Sequence, residues 1–176
     1  MKRLVLFIFL LSFLSSNAQQ SISFENKVFL AGSMTDFNSV KCEFFFECDC
    51  CFEDYIFLPD NKFLCIDYCT ADYTLTSGTY RVDTENIILN FTNQKTEIDY
   101  NWEYDVDQTV QKWIVKDTIK KQIEIKFEID SCKKTMLVIE VDDYTYIAIE
   151  SSKSIADIKT KFEKFGLLEH LEKFLK

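Results

Sequence analysis

Polar and apolar residues alternate along most of this chain, and the alternation stops near residue 150. Period two is cleanest over residues 122–129. Ile123, Ile125, Phe127 and Ile129 fall on one side, and Glu124, Lys126 and Glu128 on the other. Residues 42–48 repeat the pattern, with Cys42, Phe44, Phe46 and Cys48 opposite Glu43, Phe45 and Glu47. Such alternation predicts strands with one buried face. Residues 55–58 and 62–68 flank Pro59-Asp60-Asn61, whose turn chemistry predicts a hairpin. Residues 74–82 and 87–91 form a second hairpin, and 135–141 and 144–150 a third around Asp142-Asp143. Residues 22–31, 96–104 and 111–115 read as further strands, 33–39 as a loop and 131–134 as a turn.

Past Glu150 the period lengthens. Ser154 followed by Asp157 resembles a capping box with Asp in place of Glu. Ile155, Ile158, Phe162 and Phe165 recur at helical spacing, and Gly166 is placed to end that helix in a left-handed cap. Leu167, Leu168, Leu171, Phe174 and Leu175 define a second short amphipathic piece. Eight to ten strands at roughly 8–12-residue spacing predict an all-β fold. It is an antiparallel up-and-down barrel or sandwich over residues 19–150, with a C-terminal amphipathic helical segment over 151–176 packed on one side.

The N-terminus reads as an address. Lys2 and Arg3 precede an apolar run over residues 4–14, and Ser16 and Ala18 supply small residues at the −3 and −1 positions of a cleavage site. This is the order of a secretory signal peptide. The run is too short for a bilayer, which needs about 20 residues. The expectation is a secreted or periplasmic protein, cut near Ala18 and carrying no membrane span.

Charge narrows the partners. Acids outnumber lysine plus arginine by 29 to 20. An acidic body is unsuited to nucleic acid, which demands a basic face. Eight acids and one lysine lie between Cys42 and Asp72. Among them Glu47, Asp49, Glu53 and Asp54 form a candidate interaction surface for a basic protein partner.

Ser77-Gly78-Thr79-Tyr80-Arg81-Val82, a turn, and Ile87-Ile88-Leu89-Asn90-Phe91 follow a Gly-x-Tyr strand, turn, Ile-x-Leu strand order. That order is similar to a pattern in small exported bacterial lipocalin-like proteins. The preceding residues 55–63 resemble the hairpin of the same family, with Asn61 where glycine is usual. The resemblance covers about residues 52–91; an opening Gly-x-Trp is missing, and the cysteine cluster is no part of the pattern. It implies a calycin-type barrel with a terminal helix packed outside, and brings no catalytic residues.

Export makes disulfides the default for Cys42, Cys48, Cys50, Cys51, Cys65 and Cys69, with Cys132 left over. In the Asp60-Asn61 hairpin Cys51 and Cys69 fall within one residue of register, which makes them the best single pair. The close thiolates of residues 48–51 also suit a soft metal such as copper(I) or zinc. Against enzyme chemistry, His170 is the single imidazole, on the polar side of a helix where it reads as a solvated surface residue. Asn90-Phe91-Thr92 matches a glycosylation acceptor. The expected function is non-enzymatic binding of a small apolar or amphipathic ligand, with no cofactor and with Trp102 and Trp113 as candidate cavity residues. The alternatives are a disulfide-stapled acidic interaction module and a cysteine-cluster metal binder.

Overall fold

The computed structural model describes residues 22–38, 43–46, 51–132, 134–141 and 144–176. The signal-peptide residues, Cys42, Glu47, Cys48, Asp49 and Cys50 lie outside them. The strands are β1 (Val28–Asn38), β2 (Glu43–Phe46), β3 (Cys51–Phe57), β4 (Lys62–Cys69), β5 (Asp72–Asp83), β6 (Asn86–Tyr100), β7 (Trp113–Ile119), β8 (Glu124–Cys132), β9 (Lys134–Val141) and β10 (Tyr144–Glu150). Two helices follow, α1 (Ile155–Lys164) and α2 (Leu168–Glu172).

Every pairing is antiparallel. β1, β3, β4, β5, β6, β8, β9 and β10 follow one another around a ring, and β10 pairs back onto β1 from Phe29↔Glu150 to Met34↔Thr145. The result is a closed eight-stranded barrel. The two remaining strands lean on strands longer than the wall. β2 pairs with the far half of β1, and β7 pairs with the far half of β6, whose near half pairs with β8. Connection order is therefore up-and-down except at these two places.

Four local expectations change. Residues 33–38 are strand, since pairing with β10 and β2 carries β1 to Asn38. The strand expected at 96–104 is the end of a continuous β6, and a 3₁₀ turn, Trp102–Asp105, follows it. Pairing with β7 from Gln94 to Tyr100 carries β6 on through polar residues. The third is β7, which lies at Trp113–Ile119 rather than 111–115. Last, the turn at 131–134 is narrower, because β8 reaches Cys132 and β9 starts at Lys134.

Two apolar cores share one wall. Inside the ring lie Phe29, Tyr55, Phe57, Phe63, Leu89, Phe91, Phe127 and Leu137. Outside it, Ile56, Leu64, Ile66, Leu75 and Ile98 meet Ile158, Phe162, Leu167 and Leu171 of the helices. This is why β3 and β4 are apolar on both faces while β8, whose outer face meets water, alternates. Helix α1 begins with the capping box, Ser154 Oγ accepting from Asp157 N at 3.2 Å and Asp157 Oδ2 from Ser154 N at 2.8 Å. It ends at Gly166, φ 72°, where Gly166 N donates to Glu163 O and Leu167 N to Phe162 O. That pair of bonds is a Schellman cap, and Leu167 joins Phe162 in the outer core.

The β3–β4 turn closes through Asp60 and Asn61, both in the left-handed region. Above it the lower end of the barrel is plugged by rings. Phe57 meets Phe24, Phe29 and Tyr80 at centroid distances of 5.3, 5.4 and 5.0 Å. Gly78 is the narrow point. It stands between Phe63 on β4 and Phe91 on β6, whose rings meet edge-on at 4.8 Å. A Cβ there would lie 2.0 Å from Asn90 O and 2.7 Å from Phe63 Cε1. A Gly78→Ala substitution is therefore expected to destabilise by about 1–3 kcal/mol. A urea unfolding curve that kept its midpoint would contradict this packing.

Candidate functional site

The end of the barrel opposite the plug is polar inside. Side chains on a strand alternate between faces, so Glu53 enters the interior with Tyr55 and Phe57. On β4 the same rule brings in Phe63, Cys65 and Asp67. Tyr146 arrives from β10, and Lys120 from just beyond β7. Register places Cys65 opposite Tyr55, and Asp67 opposite Glu53. The floor is aromatic: Tyr55 stands edge-on to Phe127 at 6.0 Å, and Phe127 lies 6.2 Å from Tyr146.

The contacts converge on Glu53. Cys65 Sγ donates to Glu53 Oε2 at 3.6 Å. The Tyr146 hydroxyl is buried beside Glu53 and Tyr55, yet no hydrogen bond of ordinary geometry satisfies it among the described residues. Lys120 Nζ sits 4.5 Å above the ring of Phe91. Lys95 is tied to Glu97 at 2.6 Å.

Burial sets the protonation states. It pushes the phenol of Tyr55 well above its usual pKa, and charge at Cys65 and Glu53 adds to the effect. The thiol of Cys65 is also pushed well up, by burial first and then by Glu53 and Asp67. Tyr146 is raised by burial and by the Glu53 charge. Asp67 is raised by burial and by Glu53, with Lys95 opposing. Burial lowers Lys120, while the Cys65 and Glu53 charges oppose that shift. The cluster thus gathers phenol and thiol groups held protonated around Glu53, with a lysine at its edge. Such a set suits hydrogen bonding to a polar group better than nucleophilic attack, because the thiol is held protonated.

The sequence-derived candidates divide. Cys51 and Cys69 face each other across β3 and β4 and form a disulfide. Cys65 does not join a bridge. It is a free thiol, because its strand position turns it into the barrel toward Glu53. Glu53 and Asp54 do not form an exposed acidic surface. Glu53 points inward, and Asp54 is buried on the outer face, paired with Lys153 Nζ at 2.9 Å. Neither tryptophan lines the interior. Trp102 is 67% exposed on the 3₁₀ turn. Trp113 packs outside, where its Nε1 donates to Phe165 O at 3.0 Å. His170 is not solvated: its side chain is 18% exposed, and Nδ1 is buried without a hydrogen-bond partner among the described residues. Among the described residues no three of His, Cys, Asp and Glu are grouped as metal ligands. The inner cluster of Glu53, Tyr55, Cys65 and Tyr146 was missed. Tyr146 lies far along the chain from the other three, and an acid in a strand reads as solvent-facing unless the register is known.

No family model and no curated protein matches the chain. Among solved structures it is similar to a streptavidin-like protein from Bacteroides eggerthii DSM 20697. The TM-score is 0.55 and the identity 12%, covering 85% of this chain and 94% of that one. At that identity the likeness concerns the fold. It agrees with a calycin-type barrel but does not single out lipocalins.

The raised phenol and thiol groups predict how stability depends on pH. Above their ordinary pKa values the folded state keeps protons that the unfolded chain releases, so stability falls as pH rises. These groups add no pH dependence below about pH 8, and the stability they contribute declines past the ordinary thiol pKa of about 8.5. Urea midpoints of the parent and of Cys65→Ser across that range check this: the variant should lose the first part of the decline. The bridge gives a second prediction. Closing 18 residues of chain contributes about 3 kcal/mol, so a Cys51→Ser, Cys69→Ser double variant should lose that much in the same assay at neutral pH.

Proposed function

We propose that this is an exported, non-enzymatic binding protein that holds a small amphipathic ligand in the polar end of its barrel. A barrel of eight strands is the size that encloses packed side chains or one small ligand, as in streptavidin. The observation that carries the reading is that Cys65 Sγ donates to Glu53 inside the barrel, while the buried Tyr146 hydroxyl beside them has no hydrogen-bond partner among the described residues. A buried hydroxyl without a partner costs about 1–3 kcal/mol, and a ligand's polar group would offset it. Apolar surface for the rest of the ligand comes from Ile125, Phe127, Leu137 and Ile139. Ligand sites commonly combine such an apolar lining with a few convergent polar groups. Export is supported by the leader pattern and by the Cys51–Cys69 bridge, which persists in oxidising compartments.

The test uses N-phenyl-1-naphthylamine, a neutral apolar fluorophore with one N–H. Saturable enhancement of its emission is expected. Ala31 and Ala148 face each other inside the closing strands and are fully buried. Ala148→Phe adds a large ring to this inner wall and should abolish the enhancement in a protein that still unfolds cooperatively. Glu53→Gln adds no volume and should weaken binding roughly tenfold through a lost charged hydrogen bond. Enhancement that fails to saturate, or that survives both variants unchanged, would overturn the proposal.

A further inference from the structure

A second cleft lies outside the barrel, between helix α1 and the outer face of β3, β4 and β5. It has a volume of about 220 Å³. Drug-sized sites hold roughly 300–1,000 Å³, so its occupant would be fragment-sized. Three of its nine lining residues, Tyr68, Tyr73 and Phe162, are aromatic. Tyr73 lies 5.4 Å from Phe162 and 6.5 Å from Tyr68, with Ile66 and Ile158 completing the apolar surface.

Hydrogen-bond accounting separates the spent groups from the unspent ones. Lys153 Nζ donates to both oxygens of Asp54, at 2.9 and 3.0 Å, and to the hydroxyl of Tyr68 at 3.3 Å. Its three protons are therefore used, and the Asp54 charge is matched. Asp157 Oδ2 accepts from Ser154 N and Oγ at the start of α1. Lys161 differs. Its Nζ sits over the rings of Tyr68 and Tyr73, 4.8 and 5.2 Å from the centroids. No carboxylate lies within ion-pair distance of it among the described residues. The Tyr68 hydroxyl accepts from Lys153 and keeps its own proton to give. The unspent groups are thus a cation and a hydroxyl donor, held at the edge of an aromatic slot.

We infer that this cleft is a binding site for a small aromatic carboxylate, separate from the barrel interior. The ring fits against Tyr73 and Phe162, and the carboxylate accepts from Lys161 and the Tyr68 hydroxyl. A plain anion has no use for the rings, and an aryl cation is repelled by Lys161.

Trp113 can report on it, because its ring lies 6.0 Å from Tyr73. In a Trp102→Phe background its emission is titrated with phenylacetate, phenethylamine and inorganic phosphate. A saturable change with phenylacetate alone is expected. Lys161→Met keeps the aliphatic stem and should weaken phenylacetate at least tenfold, whereas Lys161→Arg should retain it. Asp54→Asn acts in the opposite sense. It releases Lys153 from its acid, so phenylacetate should bind several-fold more tightly, a result that loss of folding cannot imitate. Equal binding of phenethylamine or of phosphate, an unchanged affinity in Lys161→Met, or no saturable change with phenylacetate would each overturn the inference.

Discussion

The pairing of β1 with β10 is the contact on which the rest depends. It joins the two ends of the β body through six registered residue pairs, Phe29↔Glu150 to Met34↔Thr145. Ordering a chain this long before its ends meet is costly. Loop-closure entropy grows only slowly with length, so the last pairing is not prohibitive. Once made, it removes the ring's free edges and turns one face of eight strands inward. Ala31 and Ala148 meet there because a barrel tapered around large aromatic rings needs small residues elsewhere.

Closure gives every wall strand an inside, and the helices give some of them a second buried face. β3 and β4 lie between the two cores, with Phe57 and Phe63 inside and Ile56 and Leu64 under the helices. The outer core is held by few but well-placed devices. The capping box starts α1, Gly166 turns the chain back, and Leu167 seals the turn onto Phe162. The Asp54–Lys153 pair anchors the same helix start to the wall. Burial tends to raise the Asp54 pKa, and the lysine hydrogen bond and charge oppose it.

Inside, the barrel is polarised along its axis. Phe24, Phe29, Phe57 and Tyr80 fill the end near the β3–β4 turn. Glu53, Cys65, Tyr55 and Tyr146 occupy the other, next to the Cys51–Cys69 bridge. The bridge clasps β3 to β4 at the first residue of one and the last of the other, two positions along β3 from Glu53. A bridge at that point limits strand fraying where the buried polar groups depend on fixed geometry. Polar groups sequestered from water either satisfy one another or wait for something that satisfies them; Tyr146 is in the second position.

Much of this was legible in the residue order, and the reasons are local. The Ile125–Ile129 alternation, the Pro59-Asp60-Asn61 turn, the Ser154–Asp157 cap and Gly166 are short-range signals, and each stands where the order placed it, whereas Ile123 falls before β8 and is exposed. Hairpin register singled out Cys51 and Cys69 as the best pair, and they form the bridge. Strand ends were misjudged where a partner far along the chain prolongs a strand through polar residues, as β7 does for β6 and β10 for β1. The direction of side chains was decided only by closure. Glu53, Cys65, Trp113 and His170 changed roles because each lies on a strand or helix whose inner side depends on what packs against it. By itself, then, the sequence determined the hairpins, the helix caps and the all-β class, since these depend on neighbours a few residues away, and one hairpin's register singled out Cys51 and Cys69. The tertiary structure alone decided which face became the interior, and so which polar groups meet there. Those groups come from β3, β4 and β10, and only the long-range β1–β10 pairing brings these strands around one axis.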